Sequence, residues 1–484
     1  MSTDGRDALE LVEREKESYL DELVEYLRIP SISTDPEHAP DVERCAEYLM
    51  GRMREAGLPT VERIDAGGHP LVYAEWSGAP GKPTVLFYGH YDVQPVDPIE
   101  EWRHPPFEPA REDGNLVARG ATDDKGQSYT HLKAVGAMLA ARGSLPVNVK
   151  FLVEGEEESG GAAIERYVRQ DGGKRLACDA VVVSDSSMYA PGQPSLVYGL
   201  RGMCYVELRV QGPNRDLHSG TYGGAVANPL NALCEVVAAL RDSRTGRVRV
   251  PGFYDRVRPL ADWERQEIAA LPHHRAAYMA ELGVEELPGE EGYSAQERTT
   301  VRPTLDVNGI FGGYMGRGAK TVLPAWGGAK VSMRLVPDQE PEEIGRLFTE
   351  YVRQVTPPGV KVQVDALHGG RPFLLSTEGP YFAAAMAALE GTFGARPVRV
   401  REGGSIPVVN TFSEVLKVPI LLMGYGLPDD RLHSPNEKMS IAQFYDGIRC
   451  TVRLLDQVGE LDQAGQLGQV GQLAQVGKPD RTAS

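Results

Sequence analysis

Short, unbroken apolar runs alternate with helix-like stretches along the first part of the chain, and this alternation constrains the fold more than any other feature. VLFYGH at 85–90, VKFLVEG at 149–155 and AVVVSD at 180–185 are strand-like; residues 126–142 and 161–170 between them carry helical patterns. Strands apolar on both faces and separated by helices pack as a parallel sheet covered on both sides. Two amphipathic helices lead in, over 7–28 and 41–56. Their apolar faces hold Leu20, Leu23, Val24 and Leu27 in the first and Val42, Cys45, Leu49 and Met53 in the second, which Gly57 ends as a C-cap.

Near residue 200 the texture changes. CYVELRVQG at 204–212 alternates polar and apolar as a half-exposed strand does, and a helix follows near 228–241. KVSMRLVP (330–337), the helix 342–355 and KVQVDAL (361–367) complete a small sheet with helices on one face, around an acidic elaboration at 255–300 that the pattern does not place. From about 378 the first texture returns, with a helix over 380–392, VRVRE, and the strand VPILLMGYG at 418–426. The expected fold is α/β: a discontinuous catalytic domain with a mostly parallel sheet flanked by helices, plus an inserted two-layer α+β domain. The expected boundaries are 1–200 and 376–457 for the catalytic domain and 201–375 for the insertion. A flexible Gly/Gln-rich tail is expected over 458–484.

Composition excludes several classes. The 484 residues carry 51 Lys+Arg against 68 Asp+Glu, a net charge of -17, which is too acidic for general nucleic-acid binding. No run approaches the roughly 18 apolar residues of a membrane span, and the first residues lack a basic start followed by an apolar stretch, so a soluble cytoplasmic protein is expected. Cys45, Cys178, Cys204, Cys234 and Cys450 are scattered and form no C-x-x-C pair, which fits reduced thiols rather than a zinc-thiolate site.

In open α/β sheets the reactive groups gather beyond the carboxyl ends of strands. Here VLFYGHYD delivers His90 and Asp92, VKFLVEGEEE delivers Glu157 and Glu158, and AVVVSD delivers Asp185; ARGATDDKG adds Asp123 and Asp124, and the loop after VPILLMGYG adds His433. Each group has a plain alternative. His90 and Asp92 also read as a capped strand end, Glu154, Glu156, Glu157 and Glu158 as a solvated face, Asp123 and Asp124 as a helix start favoured by the dipole, Asp185 as a cap and His433 as a surface histidine. Convergence separates the readings, because five such donors at one sheet edge repel one another unless cations neutralise them. Two imidazoles and three carboxylates suit zinc, manganese or cobalt.

GHYDVQP, GATDDKG, EGEEESG, VVSD, REGGSIPVV and LHSPNEK resemble, in order and approximate spacing, the motifs of the co-catalytic dinuclear zinc peptidases and deacylases. That family includes carnosine and Cys-Gly dipeptidases, glutamate carboxypeptidase, acetylornithine deacetylase and succinyl-diaminopimelate desuccinylase. DDKG, EEESG and GGSIPV look most like its dipeptidase branch. The resemblance spans about residues 10 to 455. It implies two divalent ions per subunit, zinc first, with Asp123 bridging them, His90 and Asp185 completing one site and Glu158 and His433 the other. It further implies that Asp92 orients His90, that the Asp123–Asp124 peptide is cis, and that Glu157 is the general base and acid for a water bridging ions about 3.5 to 4 Å apart. His218, in DLHSG, is similar to the histidine that stabilises the oxyanion, in dimeric members from across the subunit boundary. Arg334 is suited to grip a substrate carboxylate, with Thr321, His368 and Ser405 as further substrate contacts. The insertion then acts as a lid and dimerisation domain closing about a hinge, and the chain is a homodimer.

The implied reaction is hydrolysis of the amide bond in dipeptides or short peptides with a free C-terminal carboxylate. An N-acyl amino acid deacylase shares the same chemistry, and a scaffold kept only for dimerisation is opposed by the intact Glu157 and ligand set. GGYMGRG at 312–318 lacks the spacing of a dinucleotide loop, and no G-x-S-x-G elbow is present.

Overall fold

The computed structural model describes residues 6–271, 275–404 and 406–461; Ser405 and all but the start of the expected tail lie outside them. The chain forms two compact units, Met1–Tyr198 with Leu375–Val400 and Pro407–Ser484, and Gly199–Leu374 with Arg401–Ile406.

In the first unit the sheet runs in the order Thr60–Ile64, Leu71–Trp76, Asn148–Glu154, Thr84–His90, Ala180–Val183, Ile420–Leu422, Ser195–Leu200. The four strands from Asn148–Glu154 to Ile420–Leu422 are parallel neighbours, and the pairings outside them are antiparallel. Both faces are covered, as the unbroken apolar runs require. Phe87 stacks on Phe151 and on His131 of the helix Lys125–Arg142, whereas the next residue, Tyr88, meets Phe412 of the helix Pro407–Leu416 edge-on. Lys125–Arg142 also packs against Arg6–Leu27 and Ile441–Gly459. Its buried Lys125 donates to the carbonyls of Tyr26 and Ile29, satisfying groups that the end of the first helix leaves unpaired. The helix Ala39–Glu55 closes on Gly57 (φ +93), with Gly57 N bonded to Arg54 O and Leu58 N to Met53 O, a Schellman motif.

The second unit holds an antiparallel sheet, Thr304–Gly312, Trp326–Leu335, Gly202–Gln211, Lys361–Gly370. The helices Pro229–Ala239 and Pro341–Val355 pack on one face, over Val206, Leu208, Val331 and Met333. The 255–300 segment contributes the helices Asp262–Ala270, Arg275–Leu282 and Ala295–Thr300. Among the described residues its three buried acids are paired: Glu290 takes Arg302 bidentately at 2.7 Å through both oxygens, Glu264 pairs with Arg401, and Glu297 closes a capping box with Ser294.

Two details depart from the sequence reading. VPILLMGYG ladders only over Ile420–Leu422, because Gly424 runs against the Ser186 backbone too closely for any Cβ. The VRVRE strand, Val398–Glu402, begins in the first unit, but Arg401–Ile406 cluster with the second.

Candidate metal centre

Because the central strands are parallel, His90, Glu154 and the residues after Val183 leave the sheet at one edge. Five donors meet there in two groups, His90 with Asp123 and Asp185, and Asp123 with Glu158 and His433. His90 Nε2 lies 3.2 Å from Asp123 Oδ1 and 4.0 Å from Asp185 Oδ1; His433 Nε2 lies 2.9 Å from Asp123 Oδ2 and 3.5 Å from Glu158 Oε2. The Asp123–Asp124 peptide is cis.

The polar partners of these donors suit a cation. His90 is fully buried, and its Nδ1 faces the Asp92 carbonyl oxygen at 3.1 Å and carboxylate at 3.3 Å, so the proton belongs on Nδ1. Nε2 then faces two carboxylates with no hydrogen bond, and Glu158 Oε1 is likewise buried without a partner. An orphaned imidazole nitrogen among carboxylates is satisfied by a divalent ion.

Asp92 does more than orient His90. Its carboxylate accepts the backbone N–H of Glu157 at 3.2 Å and of Glu158 at 3.1 Å, and the Ser33 hydroxyl at 2.6 Å. The acidic run is thus divided by position. Glu154 is buried and accepts from Tyr88, while Glu156 accepts from the backbones of His69 and Ala163 and serves the architecture. Glu157 and Glu158 remain for the cluster.

Crowding shows in the proton affinities. Burial pushes the Glu157 carboxyl up to about 8, aided by Asp185, Glu158 and Asp123, and burial followed by Asp123 pushes Glu158 up to about 9. Burial and Asp123 bring Asp185 up to about 6. Burial pulls the His90 imidazole down, but Asp123, Asp92 and Asp185 outweigh it and hold it well above its ordinary range. Burial opposes ionisation of Asp123, yet His433 and His90 hold it below the usual carboxylate range.

A stability prediction follows for protein kept in chelator. An unfolded Glu releases its proton near 4.5, whereas folded Glu157 and Glu158 keep theirs to about 8 and 9, so the native state binds more protons in between. Stability must fall as pH rises through that window. Thermal unfolding in chelator should give a lower Tm at pH 8.5 than at pH 6, and Glu157→Gln should flatten the slope; an unchanged slope would disprove the crowding.

The remaining expected residues lie in the second unit. His218 and Thr321 are exposed where Leu217–His218 pairs with Val322–Leu323, and Ser219 N donates to Thr321 O at 3.0 Å. Arg334 opposes Met203 and His368 opposes Tyr205 on the sheet face away from the helices, where the His368 ring meets Tyr205 edge-on. Two residues near the donors escaped the sequence reading although both lie inside its motifs, Gln94 as the Gln of GHYDVQP and Glu437 as the Glu of LHSPNEK, while Asp124 was already named with Asp123. Gln94 donates to Glu158 Oε2 at 2.6 Å, Asp124 accepts from His90 N at 3.2 Å, and Glu437 binds the Asp123 loop.

Residues 86–457 match peptidase family M20/M25/M40, and the chain belongs to that family of metallopeptidases. A Cys-Gly metallodipeptidase of Schizosaccharomyces pombe is 33% identical over 459 residues, covering 91% of this chain and 96% of its own. A β-Ala-His dipeptidase of Rattus norvegicus is 30% identical, covering 90% of this chain and 92% of its own. The solved structure of the dipeptidase Dug1p from Saccharomyces cerevisiae superposes with a TM-score of 0.84 at 29% identity, covering 96% of this chain and all of that one. Among the described residues no helix is long and apolar enough to cross a membrane.

Proposed function

We propose that this peptidase hydrolyses dipeptides with a free C-terminal carboxylate. The observation that carries the reading is the pair of donor groups sharing Asp123, in a chain whose full-length relatives are named as dipeptidases. His90, Asp123 and Asp185 would hold one divalent ion and Asp123, Glu158 and His433 a second, zinc first among the metals this donor set accepts. Such ions, when bound, supply Lewis acidity that polarises an amide carbonyl and acidifies water. Glu157 belongs to neither group, and its carboxylate, on the turn beside Glu158, would take a proton from water and return it to the leaving amine. Asp92 fixes the His90 ring and the backbone of the Glu157 turn together.

His218 is the candidate oxyanion donor and Arg334 the candidate carboxylate grip, with Thr321, His368 and Ser405 as substrate contacts. Family resemblance supports these roles, a lid and dimerisation role for the second unit, and a homodimer in which His218 crosses the subunit boundary. The five unpaired cysteines suit a reducing, cytosolic compartment.

The test is to strip the protein with chelator, restore zinc or manganese, and follow free amine from Cys-Gly, β-Ala-His and acetyl and succinyl amino acids. Restored metal should give turnover of dipeptides in preference to acylated amino acids, and chelator should abolish it. Turnover of acyl amino acids alone would make the chain a deacylase.

A further inference from the structure

The two donor groups are built on unequal supports. His90 ends a strand, Asp185 closely follows another, and Asp124 ties its neighbour Asp123 to the His90 backbone. His433 is 55% exposed and sits on a loop in which Arg431, His433 and Asn436 all adopt left-handed φ, at 59°, 59° and 63°. Non-glycine residues hold such angles only where their surroundings dictate them.

The surroundings are supplied by buried polar groups in the same loop. Asp430 accepts from Leu427 N at 2.7 Å and the Thr122 hydroxyl at 2.9 Å, and Asn436 bonds the backbones of Glu101 and Arg103, both at 2.8 Å. Glu437, fully buried, is the member that reaches the Asp123 backbone. One carboxylate oxygen accepts from Arg119 Nη1 at 2.8 Å and Gly120 N at 3.0 Å; the other accepts from Thr122 N and Asp123 N, both at 3.0 Å. Four donors on two oxygens leave no place for an amide NH₂. The same residue is four positions from His433, so one carboxylate sets the distance between the loops that bring His433 and Asp123 together.

We propose that Glu437 is a positioning residue that couples the Asp123 loop to the His433 loop and thereby sets the ion affinity of the Asp123, Glu158 and His433 group. The inference rests on reading that group as an ion site. Loss of the coupling falls on His433, because Asp124 and the strands still hold Asp123 against His90 and Asp185.

The experiment titrates zinc into chelator-stripped full-length chain against a chromophoric competitor. Wild type should take up two ions. Glu437→Gln, which keeps the shape but presents one NH₂ group to two donors, should bind one ion with wild-type affinity and the other about 10- to 100-fold more weakly. Saturating zinc should restore its kcat with KM unchanged, which a general loss of structure would not allow. If Glu437→Gln does not fold, Arg119→Lys makes the same comparison, since it leaves the carboxylate and its three amide bonds in place; a smaller weakening of one ion alone is expected. Wild-type affinity for both ions in a folded variant, or equal weakening of both, overturns the proposal alone. A wild-type chain that binds no zinc overturns the ion-site reading and the proposal with it.

Discussion

Glu157→Ala is expected to keep close to its full complement of zinc and to lose about 10²- to 10⁴-fold in kcat on a dipeptide, the range for removal of a general base or acid. The separation arises from the turn. Glu157 and Glu158 are adjacent and share the Asp92 anchor, yet only Glu158 joins a donor group. Glu158 is also held by Gln94, which aims its carboxylate. Glu158→Ala should therefore lose metal where Glu157→Ala does not. Steady-state kinetics beside metal content by atomic absorption reads both quantities on one preparation. Equal metal loss in the two variants would end the division of labour.

Asp123→Asn is expected to have the broadest effect of any single substitution at the site, because both groups contain that carboxylate and both histidines point at it, at 3.2 and 2.9 Å. An amide keeps the volume but removes the charge. Metal content should fall well below one ion per chain, and activity should drop by about 10³-fold or more, since losing Lewis-acid stabilisation costs several kcal/mol. Full metal content and activity in Asp123→Asn would refute the shared-carboxylate arrangement.

What could be read from the sequence follows from how far each interaction reaches along the chain. Strands around Phe87, Phe151 and Val182 announce themselves because burial on both faces leaves few polar residues within them, Lys150 apart, and their ends carry the donors. The edge strand Thr60–Ile64 and its neighbour Leu71–Trp76 escaped, TVERI showing only partial burial and no simple alternation. Glu437 escaped for a different reason: its partners lie more than 300 residues away, and the acid of LHSPNEK has no local pattern to mark it as buried. The 255–300 segment resisted because its acids meet arginines such as Arg302 and Arg401 that sit outside it in sequence. The strand at 418–426 was overextended because an apolar run cannot reveal where Gly424 will press against another backbone.

Asp92 carries an implication for how this enzyme can change. One carboxylate faces the His90 imidazole and accepts from the backbones of Glu158 and Glu157, so substitutions there would propagate to the proposed ligation and proton transfer at once. Selection for a new substrate has little room to retune either step separately at this turn. Diversification is channelled instead toward surfaces that touch the rest of the substrate, while the reactive core is inherited as an indivisible block.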